Sequence, residues 1–260
     1  MRWDPTQYAR YDSERNRPFF DLLGQIRADS PGTVVDLGCG PGELTAALAT
    51  RWPAATVRGL DSSPEMIERS AAYRSDRVSF RLADAAEFDA TGVDVLISNA
   101  LLQWVPGHGA LLRRWATELN QDGWLAFAVP DNFSSPSHVL MRELAESPRW
   151  AASLSGVLRH ADAVSPVADY LSLLADDGLQ MTAWQTRYLH VLQGPDPVLE
   201  WVRGTGLRPV LATLSDDDAA EFEFSYRELL RTAYPQRDFG TVFPFLRTFV
   251  VGHKSAGGPG

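Results

Sequence analysis

Three glycines stand at alternate positions in Asp36-Leu37-Gly38-Cys39-Gly40-Pro41-Gly42. Residues without a side chain let a ligand approach bare backbone, and a helix beginning just behind such a loop offers its unpaired N–H groups. The chemistry that suits this loop is recognition of a polar small molecule. Cys39, its one side chain with nucleophilic character, reads as a small loop-filling residue. Spacing narrows the ligand. A dinucleotide loop runs G-x-G-x-x-G/A; Gly38 and Gly40 fit, but Glu43 holds the last place and would repel a pyrophosphate. The glycines alone leave a nicotinamide cofactor open; Glu43 argues against it.

Polar residues recur at the ends of the following apolar runs. Asp61, followed by Ser62, comes about twenty residues after the loop, where an acidic side chain can hold both hydroxyls of a ribose. Asp84 and Ala85 follow the third run, and Ser98-Asn99-Ala100 ends the fourth. One aspartate at a strand end means little, because turns favour it. Three polar ends beside one glycine loop form a constellation.

These residues need a sheet to position them, and the pattern supplies one. Short apolar strands are expected over 33–37, 56–60, 78–82, 93–98 and 124–129, with helices over 43–51, 64–73 and 110–119. Strands separated by helices predict an α/β fold whose mainly parallel sheet is covered on both faces. Before it, Pro18 suits the first turn of a helix placing Phe19, Leu22, Leu23 and Ile26 on one face, with Pro31-Gly32 ending it. After Pro130 the order changes: an amphipathic stretch over 138–146, a helix over 169–175 and a strand over 181–192. Helix then runs over 195–234, broken near 204–209, and a last strand covers 245–251. The expected domains are an N-terminal lid segment (1–30), a ligand-binding core (31–130) and helical cap insertions (131–165 and 194–238). The rest of the core sheet falls in 166–193 and 239–254, and a frayed tail in 255–260.

Composition sets outer bounds. At 260 residues with 45% hydrophobic and 22% charged residues, the chain is an ordinary globular sequence. A formal net charge of -9 lacks the basic footprint that a nucleic acid would require. No apolar run approaches the roughly 20 residues of a membrane span. The N-terminus does not read as a signal peptide, and a single cysteine fits a reducing compartment. The expectation is a cytoplasmic monomer acting on a small molecule, with no nucleic-acid or membrane partner. Lys254 is the only lysine, so the local positive charge available to an anionic ligand comes from arginine and histidine.

The Asp-x-Gly-x-Gly-x-Gly loop resembles motif I of class I methyltransferases, whose ligand, S-adenosylmethionine, carries no phosphate. The wider sequence resembles the trans-aconitate 2-methyltransferase family. The resemblance is carried by Trp3-Asp4-Pro5-x-x-Tyr8, Ser13-Glu14-Arg15-x-Arg17-Pro18, Gly59-Leu60-Asp61-Ser62-Ser63-Pro64 and Leu102-Gln103-Trp104-Val105-Pro106-x-His108. It continues in Pro130-Asp131-Asn132, His138-Val139-Leu140-Met141-Arg142-Glu143 and Trp201-Val202-x-x-Thr205-Gly206-Leu207-Arg208-Pro209. It weakens beyond residue 209. The blocks after Pro130 are the more specific, since the methyltransferase motifs serve many acceptors.

The resemblance implies a Rossmann-like class I methyltransferase sheet, mostly parallel with an antiparallel last strand, and a mainly helical cap. It implies S-adenosylmethionine bound by Asp36, Gly38, Cys39, Gly40, Gly42, Asp61, Ser62, Asp84, Ala85 and Asn99, with Tyr8 and Arg17 from the N-terminal segment. It implies a polycarboxylate acceptor bound by Trp3, Gln103, Trp104, Asn132, His138, Arg142, Arg203 and Arg208. A carboxylate is already a nucleophile at neutral pH, so the reaction needs alignment and water exclusion, with no general base and no metal expected. Its products are a monomethyl ester and S-adenosylhomocysteine. Plain structural readings stay open: Arg142 paired with Glu146 four residues on, Arg208 satisfying a helix end, His138 starting a helix. Two other functions also remain: a methyltransferase acting on another small acid or natural product, and a cofactor-binding protein without catalysis.

Overall fold

The computed structural model describes residues 12–159 and 161–255. In chain order its helices are α1 (Asp12–Leu23), α2 (Glu43–Arg51), α3 (Pro64–Ser70), α4 (His108–Glu118) and α5 (Pro136–Ala145). They continue as α6 (Ala151–Leu154), α7 (Val167–Ala175), α8 (Pro197–Arg203), α9 (Arg208–Thr213) and α10 (Asp216–Ala233). The strands are β1 (Thr33–Leu37), β2 (Thr56–Asp61), β3 (Val78–Leu82), β4 (Val95–Asn99), β5 (Trp124–Pro130), β6 (Gln180–Leu192), β7 (Gln236–Arg237) and β8 (Gly240–His253).

One sheet runs in the order β3-β2-β1-β4-β5-β8-β6, with β7 paired to β8. The pairs β1–β2, β2–β3, β1–β4 and β4–β5 are parallel, and β8 lies antiparallel to β5. The order reverses between β1 and β4, which opens the crevice where open α/β sheets bind ligands beyond the carboxyl ends of their strands. The central strands read as continuous apolar runs because both faces are covered: Val34, Val35, Val95 and Ile97 are fully buried.

The chain divides into two compact units. One is built on Arg15–Pro130 and Val164–Thr186 with the chain from Arg247 onward; the other on Asp131–Ala163 and Arg187–Leu246. The second unit has its own core, in which Met141, Trp150, Trp201, Phe222, Tyr226 and Phe243 are buried. Two tyrosine hydroxyls fix the start of α5 within it. Tyr226 donates to the Ser137 carbonyl at 2.7 Å, and Tyr234 accepts from the Ser137 N–H at 3.0 Å.

Several elements depart from the sequence expectation. Pro18 lies inside α1 rather than in its first turn. An interior proline costs about 3 kcal/mol. Burial of Phe19, Leu22 and Leu23 on this helix offsets that, at roughly 1.5–3 kcal/mol for each large side chain. The helix stops at Leu23, where the Gly24 N–H closes onto the Phe20 carbonyl at 2.9 Å; Pro31-Gly32 leads into β1 instead of ending α1. A second break, at Leu214-Ser215, divides the 195–234 region, with the Ser215 hydroxyl accepting from the Asp218 N–H as the cap of α10. The last strand begins at Gly240, five residues earlier than expected at 245, and passes through Pro244.

Candidate active site

The glycine loop follows β1 and turns directly into α2. Gly38 and Cys39 donate backbone N–H bonds to the Leu60 carbonyl at 2.7 and 3.0 Å, tying the loop to the end of β2. Asp61 completes the tie: its two carboxylate oxygens accept from the Gly40 N–H and the Ser63 N–H, each at 2.9 Å. The loop glycines do different work. A Cβ on Gly42 (φ 91°) would stand 2.8 Å from the Phe80 ring and from Ser70 Cβ, so this glycine is required by close packing. A Cβ on Gly40 (φ 55°) would meet nothing within 4 Å, so the open side of the loop is at Gly40.

Asp36 faces inward. It is 3% exposed and accepts a 2.6 Å bond from the Thr45 hydroxyl, which fastens the loop to α2. Burial pushes its pKa up to about 7, against the lowering effect of the Thr45 bond. Cys39 is buried too, and burial, then the charges of Asp36 and Asp61, push its thiol far up, which suits a loop filler and not a nucleophile.

The other strand ends gather beside this loop. Ser62 is exposed at the end of β2. Asp84 is exposed and caps the short turn Ala85–Glu87 by accepting from the Ala86 N–H at 2.8 Å, while Ala85 is buried. Asn99 ends β4, and its amide oxygen accepts a 3.0 Å bond from Arg247 of β8. Ala100 follows in the left-handed region at φ 59°. It is held there by a 2.8 Å bond to the Ala128 carbonyl and by the Gln103 amide, which donates to its carbonyl at 2.6 Å. Gln103 is buried and Trp104 is 48% exposed, both in the turn Leu102–Trp104. A Cβ on Gly38 would stand 2.9 Å from Leu101 Cβ, so the glycine loop and the β4 end are direct neighbours. Arg17 lies on α1, its side chain 70% exposed, 3.7 Å from Asp21. Trp3 and Tyr8 fall outside the described residues. His108 is buried, with Nε2 2.6 Å from the Tyr170 hydroxyl.

The unit built on Asp131–Ala163 and Arg187–Leu246 carries a patch of positive charge. Arg142 donates to the Phe133 carbonyl at 2.6 Å and, among the described residues, makes no ion pair with Glu146. The Arg159 guanidinium lies 5.9 Å from the centre of the Phe133 ring, and the His138 ring meets the same phenyl edge-on at 5.7 Å. Burial first, then the charges of Arg142 and Arg159, push the His138 pKa down to about 4, so His138 is neutral at pH 7. Burial likewise lowers Arg159 to about 10. Arg159 was not expected from the sequence: it sits between helices with no motif around it.

Two expected ligand residues have other partners. Arg203 is clamped by Glu200 at 2.5 Å and Glu223 at 2.6 Å, so its fork is already filled by carboxylates. Asn132 is 3% exposed, and both ends of its amide bond the Leu246 backbone at 3.0 and 2.8 Å, pinning β8. Arg208 opens α9 with its side chain half-buried. Among the described residues no group of three or more His, Cys, Asp or Glu is arranged to hold a metal, and no helix is long and apolar enough to cross a membrane.

Comparison with known proteins adds the family. A family described as a methyltransferase domain matches residues 8–183. A trans-aconitate 2-methyltransferase of Streptomyces avermitilis is 52% identical over 262 residues, spanning 98% of this chain and 97% of that protein. The chain belongs to the trans-aconitate 2-methyltransferase family. A second member, from Streptomyces coelicolor, is 50% identical and spans 98% of this chain and 88% of that one. Among solved structures, the YcgJ protein of Bacillus subtilis aligns with a TM-score of 0.57 at 16% identity, over 93% of this chain and all of that one, a likeness of fold.

Proposed function

We propose that the chain transfers the methyl group of S-adenosylmethionine to one carboxylate of trans-aconitate, giving a monomethyl ester and S-adenosylhomocysteine. The observation that carries this reading is identity of 52% and 50%, over 98% of the chain, to relatives bearing that name. Two features of the crevice fit the donor, open space over Gly40 and a carboxylate at the β2 end fixed against the same loop, and the donor carries no phosphate for Glu43 to repel. In this reading Gly38, Cys39, Gly40 and Gly42 form the cradle and Asp36 stiffens it through Thr45. Asp61 and Ser62 take the ribose hydroxyls, Asp84 and Ala85 the adenine, and Asn99, Tyr8 and Arg17 the remainder. The donor supplies an electrophilic methyl on a positively charged sulfur.

The protein's part is to bind, orient and dry the acceptor. The carboxylate oxygen forms the new C–O bond as the S–C bond breaks. The sulfur keeps the electron pair, and no proton moves. The acceptor's negative charges ask for fixed donors, for which Arg142 and Arg208 are assigned; His138, Gln103, Trp104 and Trp3 are the other residues assigned to the acceptor. Arg159 joins this group because it shares the Phe133 surface with Arg142 and His138. Arg203 and Asn132 leave it for the structural roles described above. The protein is further inferred to act as a monomer and in the cytoplasm, the latter supported by its single, buried thiol. The test is incorporation of labelled methyl across a panel of trans-aconitate, cis-aconitate, isocitrate and a long-chain monoacid. Preferred labelling of trans-aconitate supports the reading. Preference for another acid moves the acceptor assignment and leaves the donor in place.

A further inference from the structure

Gly59 lies inside β2, in register with Phe80 of β3, the strand at one end of the sheet order. A glycine inside a strand weakens it and has no side chain to pack, so its place there marks the close approach of another group. That group is the Phe80 ring: a Cβ on Gly59 would stand 2.5 Å from ring Cδ1 and 2.7 Å from Cε1. A Cβ on Gly42, in the glycine loop, would stand 2.8 Å from Cε1 and Cζ of the same ring. One edge of the ring thus lies against two bare backbones, one in the sheet and one in the loop. We infer that Phe80 is a positioning residue for the methyl donor, acting through Gly42 to set where the glycine loop and the start of α2 stand.

The two ends of the loop are held by different means. Gly38 and Cys39 donate to the Leu60 carbonyl at 2.7 and 3.0 Å, and Gly40 to the Asp61 carboxylate at 2.9 Å. The Gly42 N–H closes a longer bond, 3.3 Å, onto the Cys39 carbonyl. Packing takes over at that end, where the Phe80 ring from β3 and Ser70 Cβ from α3 flank Gly42. Gly42 is also the N-cap of α2, so a shift there carries with it the first turn of the helix and its unpaired N–H groups. Phe80 is itself 7% exposed, and a close-packed interior transmits a displacement instead of absorbing it.

The inference rests on the reading that the donor lies on this loop, and the experiment keeps the two apart. Phe80→Leu removes the flat ring edge and keeps an apolar side chain. Val78→Ala, two residues back on the same strand and face and also buried, controls for general loss of core packing. In calorimetric titrations with S-adenosylhomocysteine, Phe80→Leu should bind about tenfold more weakly than the parent and Val78→Ala within about twofold of it. In turnover, KM for S-adenosylmethionine should rise in Phe80→Leu while KM for trans-aconitate does not. Gly59→Ala completes a cycle, because its Cβ displaces the ring: it should cost about tenfold in the parent and under about twofold in Phe80→Leu.

A folded Phe80→Leu that binds like the parent, or that loses no more than Val78→Ala, overturns the inference and leaves Phe80 an ordinary core residue. So does a Gly59→Ala cost that persists without the ring, which would then act through Cys39, whose Cβ lies 3.0 Å from the same point. Should Gly59→Ala not fold, the comparison of Phe80→Leu with Val78→Ala decides alone. If the parent binds no S-adenosylhomocysteine, the proposed donor falls. Amide exchange over 38–45 in the ligand-free protein then tests the ring's hold on the loop: faster exchange in Phe80→Leu than in Val78→Ala supports it, and equal exchange overturns it.

Discussion

Replacing Gly40 by alanine separates what the glycine loop does for binding from what it does for folding. The residue sits at φ 55°, and a Cβ there would meet nothing within 4 Å. Left-handed backbone costs an ordinary residue about 1–2 kcal/mol, and losing a glycine from the unfolded chain returns about 0.4–1 kcal/mol. The net expected destabilisation is about 1 kcal/mol, a fall in Tm of about 2–4 °C for a chain of this size. If the donor lies against Gly40, the same methyl group intrudes on it, and the affinity for S-adenosylhomocysteine should drop at least about tenfold, or 1.4 kcal/mol. Gly42→Ala should behave in the opposite way. Its Cβ would stand 2.8 Å from Phe80 and Ser70 at φ 91°, so strain and overpacking together cost about 2–5 kcal/mol of stability. Thermal unfolding without ligand and calorimetric titration with S-adenosylhomocysteine read the two effects. A Gly40→Ala protein that binds within twofold of the parent would refute the placement of the donor on this loop.

Three further outcomes follow from the charges. Arg203→Met should lower stability by about 1 kcal/mol through loss of its pairs with Glu200 and Glu223, with KM for trans-aconitate unchanged, whereas Arg142→Met should raise that KM; a KM effect at Arg203 contradicts its structural assignment. Asp36 is raised from 3.8 to about 7. The native state therefore binds the extra proton between those values, and stability falls as pH rises through that window, by at most about 4 kcal/mol. The stability of the parent relative to Asp36→Asn should decline from pH 4 to 7 in denaturant titrations, and a flat difference would count against the inward carboxyl. His138 is lowered from 6.5 to about 4, so the unfolded state binds the extra proton and the stability it contributes is lost as pH falls from 6.5 towards 4. NMR titration should place its midpoint well below 6.5 and move it upward in Arg142→Met; an unmoved midpoint denies the proximity of the two charges.

The half of the fold around the glycine loop was readable because its signals are local. Gly38, Gly40 and Gly42 punctuate a strand-to-helix turn, and Asp61 closes a strand within about twenty residues of it. Both β5 and the helix before it follow ordinary apolar periodicity. What escaped depends on distant partners. Pro18 could be interior to α1 only because Phe19 and Leu22 are buried. The early start of β8 was hidden by Pro244, and an edge-like partner such as β7 leaves no pattern in two residues. Arg203 resembled Arg142 in the sequence; only the approach of Glu223 from α10 tells them apart. Arg247 is separated by 148 positions from Asn99, so no spacing rule could join them. The charged lining of a site is decided by which strands and helices meet, and that information is non-local.

The most direct test of the account is transfer of labelled methyl from S-adenosylmethionine to trans-aconitate by the purified protein. One methyl per acid is expected in a base-labile ester, with S-adenosylhomocysteine formed in equal amount. Label that enters a phenol or an amine and no polycarboxylate would contradict it.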